Sequence, residues 1–263
     1  MGDVPAECYA GTTAYRSDGQ RLLYRYDDSK PSVEAIQGDK LPWIPTAQQV
    51  TSEAGSDTSL TQSGLATHPT DGYLYGQSRG AILTDGVWKM SRNTATRIAA
   101  GFGNTRIIAW NRPYLYRVTG NSLYRYTMST VSSVPTNKVK LPGTRWDTVN
   151  TLIFERTGGT GAAAVDVLLG TKANGELKEW RVNRATPTSG IASTVLRASG
   201  WSSITSLTTG YCEDHPNGRP LLAINAAGAA SVHFDANAKD RSGTDIKGGS
   251  LGSLGWTAKA YGQ

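Results

Sequence analysis

Two cysteines, three methionines and three phenylalanines are all that 263 residues supply. The two cysteines stand far apart, without a Cys-x-x-Cys pair or a histidine at a fitting interval. The sequence therefore writes no zinc site and no thiol catalyst, and no metal or other cofactor is expected. No apolar run approaches the roughly 20 residues of a membrane-spanning helix, so no membrane span is expected. Charge is also scarce, at 18% of residues. Lys and Arg exceed Asp and Glu enough to give a net charge of +6 and a pI near 9.3. They are dispersed, however, and a nucleic-acid partner would require a basic stripe. A mildly cationic surface suits solubility, or anionic glycans. The Met-Gly-Asp start lacks the charged and apolar regions of a signal peptide, so the expectation is a cytosolic protein or the mature form of a secreted one.

What the chain does hold is glycine (30), tyrosine (12) and tryptophan (7), with abundant Ser and Thr. This composition predicts many short strands joined by tight turns, an all-β fold. Five aromatic markers punctuate it: Trp43, Phe102, Trp146, Trp201 and Trp256. Each is followed at a distance by a short apolar-aromatic strand beginning near Leu22, Val87, Leu123, Leu177 and Val232. Trp146 and Trp201 precede theirs by the same interval. Running from Trp256 off the C-terminus and back in at the N-terminus reaches Leu23 after one residue fewer. A repeat of about 45–55 residues whose register closes on itself predicts a five-bladed β-propeller with four antiparallel strands per blade. The expected single domain, 1–263, divides into blade 1 (12–42 plus 257–263), blade 2 (44–101), blade 3 (103–145), blade 4 (147–200) and blade 5 (202–255). Residues 257–262 are expected to close the ring as the inner strand of blade 1.

Glycine and asparagine mark second-to-third-strand hairpins at Ser17–Gln20, Ser78–Gly80, Thr119–Asn121, Ala173–Gly175 and Ala227–Gly228, where positive φ is needed. First-to-second turns are read at Asn111–Arg112–Pro113 and His215–Pro216–Asn217–Gly218, with His68–Pro69–Thr70–Asp71–Gly72 aligned to them. Cys8 and Cys212 fall in the same class of turn on blades that become neighbours when the ring closes. They form either a disulfide, which would imply an oxidising, secreted or surface context, or two reduced thiols. The polar stretch 52–64 has two placements: among the first-to-second turns if 44–50 is the inner strand, or on the opposite face if 64–68 is. The alignment of residues 68–75 favours the second.

Thr70-Asp71-Gly72-Tyr73-Leu74-Tyr75, the Leu-Tyr-Arg-Tyr strands at 23–26 and 123–126, and the Gly-Trp or Gly-x-Trp markers resemble the tachylectin-2 type of five-bladed propeller lectin over nearly the whole chain. The resemblance implies metal-free sugar sites between neighbouring blades that recognise N-acetylated hexosamines, and a recognition module of a larger secreted protein or complex. The chain departs from that family after the third strands. There Asp28–Pro31, Arg92–Ala95, Thr130–Ser133, Arg184–Pro187 and Ala238–Arg241 replace an Asp-Asn-Trp-like segment, so no sugar-contacting residue is carried over.

A saccharide site needs an aromatic face and neighbouring planar polar groups. Three clusters on the turns combine them: Trp110 and Asn111 with Tyr114; Asp71 with Tyr73; and Tyr211 with Asp214, His215 and Asn217. Each is also ordinary turn chemistry. The markers themselves are expected to be core. Glycoside hydrolysis needs paired carboxylates, and Glu53 and Glu155 sit only near the ends of the inner strands. No Gly-x-Ser-x-Gly elbow is present. The expected function is therefore a non-enzymatic, secreted or cell-surface lectin, with a protein-interaction propeller as the alternative and a glycoside hydrolase behind both.

Overall fold

In the computed structural model, which describes residues 2–129 and 133–263, five antiparallel sheets form a ring. Among the described residues, helix is confined to two 3-10 turns, Trp146–Thr148 and Gly161–Ala163. Blade 3 runs from the axis outward as Thr105–Asn111, Tyr114–Thr119, Ser122–Met128 and Pro135–Lys140. Blade 4 is Val149–Gly158, Val165–Lys172, Leu177–Asn183 and Ile191–Arg197. Blade 5 is Ile204–Thr209, Arg219–Asn225, Ala229–Asp235 and Lys247–Ser253. The stretch expected after the third strand of blade 3 includes Thr130 to Ser132, which lie outside the described residues.

Blade 1 is built from both ends of the chain. Its strands Cys8–Tyr15, Arg21–Asp27 and Lys30–Glu34 are joined on the inner edge by Lys259–Ala260, with Ala14 opposite Ala260 and Tyr15 opposite Lys259. The other end of that edge takes Tyr211–Cys212 from blade 5, and the paired Cys8 and Cys212 are disulfide-bonded. The closing segment holds three elements at once. Tyr261 donates its backbone N–H to Thr13 O (3.0 Å) and its hydroxyl to Pro45 O (2.7 Å). The Lys259 ammonium donates to Pro45 O and Thr46 O, and Gln263 O accepts from Thr209 N–H at 3.1 Å.

Blade 2 differs from its expected layout. Its strands are Gln48–Ser56, Ser59–Thr67, Leu74–Thr84 and Val87–Ala99. Residues 48–56, overlapping the 44–50 alternative, form the inner strand, and 64–67 end the second. The stretch 52–64 is thus an extended hairpin on the first-to-second side, contrary to the placement the alignment favoured. Ser78–Gly80 is not a turn but the middle of the third strand. Val87–Met90 opens the fourth. The true hairpin is Asp85-Gly86, with φ of 53° and 74°, the left-handed pair that a two-residue turn demands. By connectivity, the turn at 68–73 joins second to third strand. It therefore lies on the face opposite the turns at 112–113 and 213–218.

Each marker packs on an aromatic side chain of the next blade's third strand. The pairs are Trp256 with Tyr24 (4.6 Å, stacked), Trp43 with Tyr75 (5.1 Å), Phe102 with Tyr126 (5.2 Å), Trp146 with Trp180 (5.4 Å) and Trp201 with His233 (5.0 Å). Four markers are core; Trp43 is half-buried. Such pairs contribute about 0.5–1.5 kcal/mol beyond the area they bury, and one falls at every junction between blades.

The disulfide spans 204 residues of sequence, so it constrains nearly the whole unfolded chain. The Cys8→Ser/Cys212→Ser protein is expected to melt roughly 5–15 °C below the parent under oxidising conditions. With reductant present the two should melt together.

Candidate functional site

The three sequence-derived clusters do not share a surface. Asn111 and Tyr114 lie between blades 3 and 4 on the first-to-second face, where the interface already uses them, whereas Trp110 packs the other way, against the core shared by blades 2 and 3. Asp166, fully buried, accepts from Asn111 Nδ2 (2.8 Å), Tyr116 Oη (2.6 Å) and Arg184 Nη1 (2.8 Å). Burial and this neighbouring carboxylate hold the Tyr116 phenol above its ordinary range. Tyr114 is covered by the guanidinium groups of Arg125 (3.9 Å) and Arg184 (5.0 Å).

On the same face, His215 Nδ1 meets Glu7 Oε1 at 2.7 Å and Asn217 Oδ1 accepts from the Lys239 ammonium. Tyr211 is 59% exposed beside Tyr9 (5.6 Å), and Asp214 is exposed nearby. Asp71 and Tyr73 lie on the opposite face. Asp71 accepts from Tyr75 Oη (2.6 Å), Tyr73 N–H (2.9 Å) and Arg97 (3.1 Å), while Arg97 stacks over Tyr73 at 4.6 Å. Desolvation opposes the Asp71 charge, yet these donors together hold its carboxyl below the usual range. Tyr75 is the partner of marker Trp43, so this cluster adjoins a marker pair.

Two clefts open beside other marker pairs. The first, about 300 Å3, lies where the connector from blade 3, Pro142–Arg145, meets blade 4; Trp146 and Trp180 wall it, with Lys172, Lys178, Ile191 and Ser193. The second, about 460 Å3, lies between blades 4 and 5 and is lined by Trp201, His233, Arg197, Ser231 and Lys247. The two are equivalent by position. Trp201 replaces Trp146, Ile204 replaces Val149, and Ser231 and His233 replace Lys178 and Trp180.

In the first cleft the Trp146 indole Nε1 is buried and has no hydrogen-bond partner. Gly143, with φ of 99°, leaves space in front of it: an added Cβ would stand 3.4 Å from that nitrogen. An orphan buried donor costs about 1–3 kcal/mol. In the second cleft, burial and the Arg197 guanidinium push the His233 imidazole below its ordinary range, so it is neutral at pH 7.

Sequence reasoning assigned these markers to the core and sought ligand contacts in the turns. The markers are buried as expected, but the edges of Trp146 and Trp201 also line the clefts. The signal available was the connector: Pro142-Gly143-Thr144 and Ser199-Gly200 place glycine just before the marker, where a side chain would fill the opening.

Carboxylates are also closer together than the inner-strand sequences indicate. Glu155, Glu179 and Asp235 come from three different strands and interleave with Arg156, Arg181 and Arg219 across blades 4 and 5. Glu179 and Asp235 are fully buried, and burial raises the Glu155 carboxyl against the pull of Arg219 and Arg156.

No family model and no curated protein matches the chain. Solved structures similar in fold include AofleA from Arthrobotrys oligospora (TM-score 0.47, 11% identity, covering 95% of this chain and 75% of that one). Another is native arabinanase Arb43A from Bacillus subtilis (TM-score 0.45, 10% identity, 86% and 89%). A third is a luciferin-regenerating enzyme (TM-score 0.36, 12% identity, 94% and 76%). At these levels the likeness is one of fold and assigns no residue a role. It does correct the expectation of a non-enzyme, because propellers of this general shape include enzymes. That expectation had counted acids on the inner strands alone, whereas Glu179 and Asp235 reach Glu155's network from third strands.

Asp166→Ala would leave Tyr116, Asn111 and Arg184 without their shared acceptor. It is expected to cost about 3–5 kcal/mol, read as a lower urea midpoint. An unchanged midpoint would return Asn111 to the list of groups available to a ligand.

Proposed function

We propose that the protein is a glycan-binding propeller of the tachylectin-2 type, recognising N-acetylated hexosamines or related cell-surface glycans in the clefts between blades. The observation that carries this reading is the buried Trp146 Nε1–H without a partner, beside an open cleft that Trp146 and Trp180 wall together. A sugar ring presents an apolar face to such a wall, and an acetamido carbonyl or hydroxyl oxygen supplies the missing acceptor. The second cleft repeats the design with Trp201 and His233. Trp43, Tyr75, Asp71, Tyr73 and Arg97 form a third, more polar candidate beside their own marker pair. Exposed Tyr211, with Asp214, His215 and Asn217 around it, is open to stacking on the opposite face, while Asn111 and Tyr114 would have to release interface partners, and Trp110 its core packing, to take part.

The Cys8–Cys212 disulfide persists in an oxidising environment, which supports secretion or cell-surface display. The role that suits it there is targeting, as the recognition part of a larger protein or complex.

A glycan array tests the reading. Binding to N-acetylhexosamine-containing glycans is expected, and Trp146→Phe, which keeps a ring against Trp180 but removes the N–H, should weaken it by about tenfold. Binding to no glycan at millimolar sensitivity by the folded protein would contradict the proposal.

A further inference from the structure

The two clefts share a feature that a neutral sugar does not require. The first is bordered by Arg145, Lys172 and Lys178, and no carboxylate lines it. The second carries Arg197 and Lys247 against a single acid, Asp3. Some of this charge is already answered: Arg145 lies 3.5 Å from Asp147, and Lys172 lies 3.3 Å from Glu176. Arg197 donates to the Ile246 carbonyl, a neutral group that leaves its charge in place. Lys178 and Lys247 have no carboxylate partner among the described residues. Lys178 stands 5.8 Å from the Trp180 ring, so its ammonium is held next to the stacking surface.

Resting on the glycan-binding reading above, we propose that the saccharide taken by these clefts is anionic: an N-acetylated sugar bearing a carboxylate, or a sulfate or phosphate ester. The ring stacks on the cleft wall that the marker and its third-strand partner form together, the Trp146 N–H meets a neutral oxygen, and the anionic substituent reaches Lys178 in the first cleft or Lys247 in the second. The charges are deployed twice at equivalent junctions by different residues. Lys178 lies on a third strand and Lys247 opens a fourth, so what recurs is the sign of the charge and not a repeated sequence motif. The excess of cations over the whole chain would also draw such polymers to the surface before docking.

The discriminating pair is N-acetylglucosamine and N-acetylmuramic acid, which differ by a lactyl ether carrying one carboxylate. Titrated into the full chain at low salt and followed by NMR, the acid is expected to bind about three- to tenfold more tightly than the neutral sugar. That ratio should fall towards one when salt shortens the Debye length to about 3 Å near 1 M. It should also fall in Lys178→Gln/Lys247→Gln, where the comparison of two sugars on one protein does not depend on the variant's overall stability. N-acetylglucosamine 6-sulfate should share the acid's advantage. Equal binding of the neutral and anionic sugars, or a ratio indifferent to salt, overturns this inference while leaving glycan binding intact. Binding of none of the three overturns both.

Discussion

The ring stands or falls on its closure. Four of the five blades are made from consecutive sequence, but blade 1 has no inner strand until Lys259–Ala260 arrives from the far end of the chain. An open edge of Cys8–Tyr15 would be a strand with unpaired backbone groups facing the axis, a costly state in a buried position. The segment 259–263 removes it and bonds to Thr13, Pro45 and Thr209, thereby tying blade 1, the connector into blade 2 and the inner strand of blade 5 together. The Cys8–Cys212 bridge covers the other half of the same edge. Every cleft between blades depends on this, since an unclosed propeller has no fixed angle between neighbouring sheets.

Within the closed ring, the marker aromatics carry a second duty. Propeller packing needs a large flat side chain where a connector drops to the axis, and each marker meets an aromatic ring of the next third strand. Ahead of Trp146 and Trp201, Gly143 and Gly200 line the clefts that flank these two pairs. On the proposed reading, architecture and recognition use the same rings. That is why burial alone does not separate core tryptophans from ligand-facing ones: Trp146 is 4% exposed, yet its indole nitrogen lacks any protein partner.

Much of the fold was legible because propeller repeats write themselves twice, once in the spacing of markers and once in the glycine turns. The four hairpins outside blade 2 and the closing strand followed from those signals, and of the two states left open for Cys8 and Cys212 the structure has the disulfide. Blade 2 was misread because a recurring phrase, His-Pro-Thr-Asp-Gly, resembled the His-Pro-Asn-Gly of blade 5 while serving a different turn. Asp85-Gly86, a stronger local hairpin signal, should have outweighed it. The clefts were less legible. They arise from residues on a connector and on the second, third and fourth strands of a neighbouring blade, and only the sheet twist brings Lys178, Trp180 and Ser193 to the side of Trp146. The buried network of Glu155, Glu179 and Asp235 was missed for the same reason.

The surfaces chosen from sequence also sort themselves by what they already hold. Asn111 and Tyr114 are committed to Asp166, Arg125 and Arg184, whereas Tyr211 is open and Asp71 sits beside a marker pair. The account therefore places recognition at the junctions between blades, with the clefts at Trp146 and Trp201 as its centre. A crystal of the protein soaked with N-acetylmuramic acid addresses this most directly. The account predicts a pyranose ring in at least the Trp146 cleft, with a ligand oxygen accepting from Trp146 Nε1 and the carboxylate turned towards Lys178. Well-ordered, ligand-free clefts with the sugar bound elsewhere on the ring would contradict it.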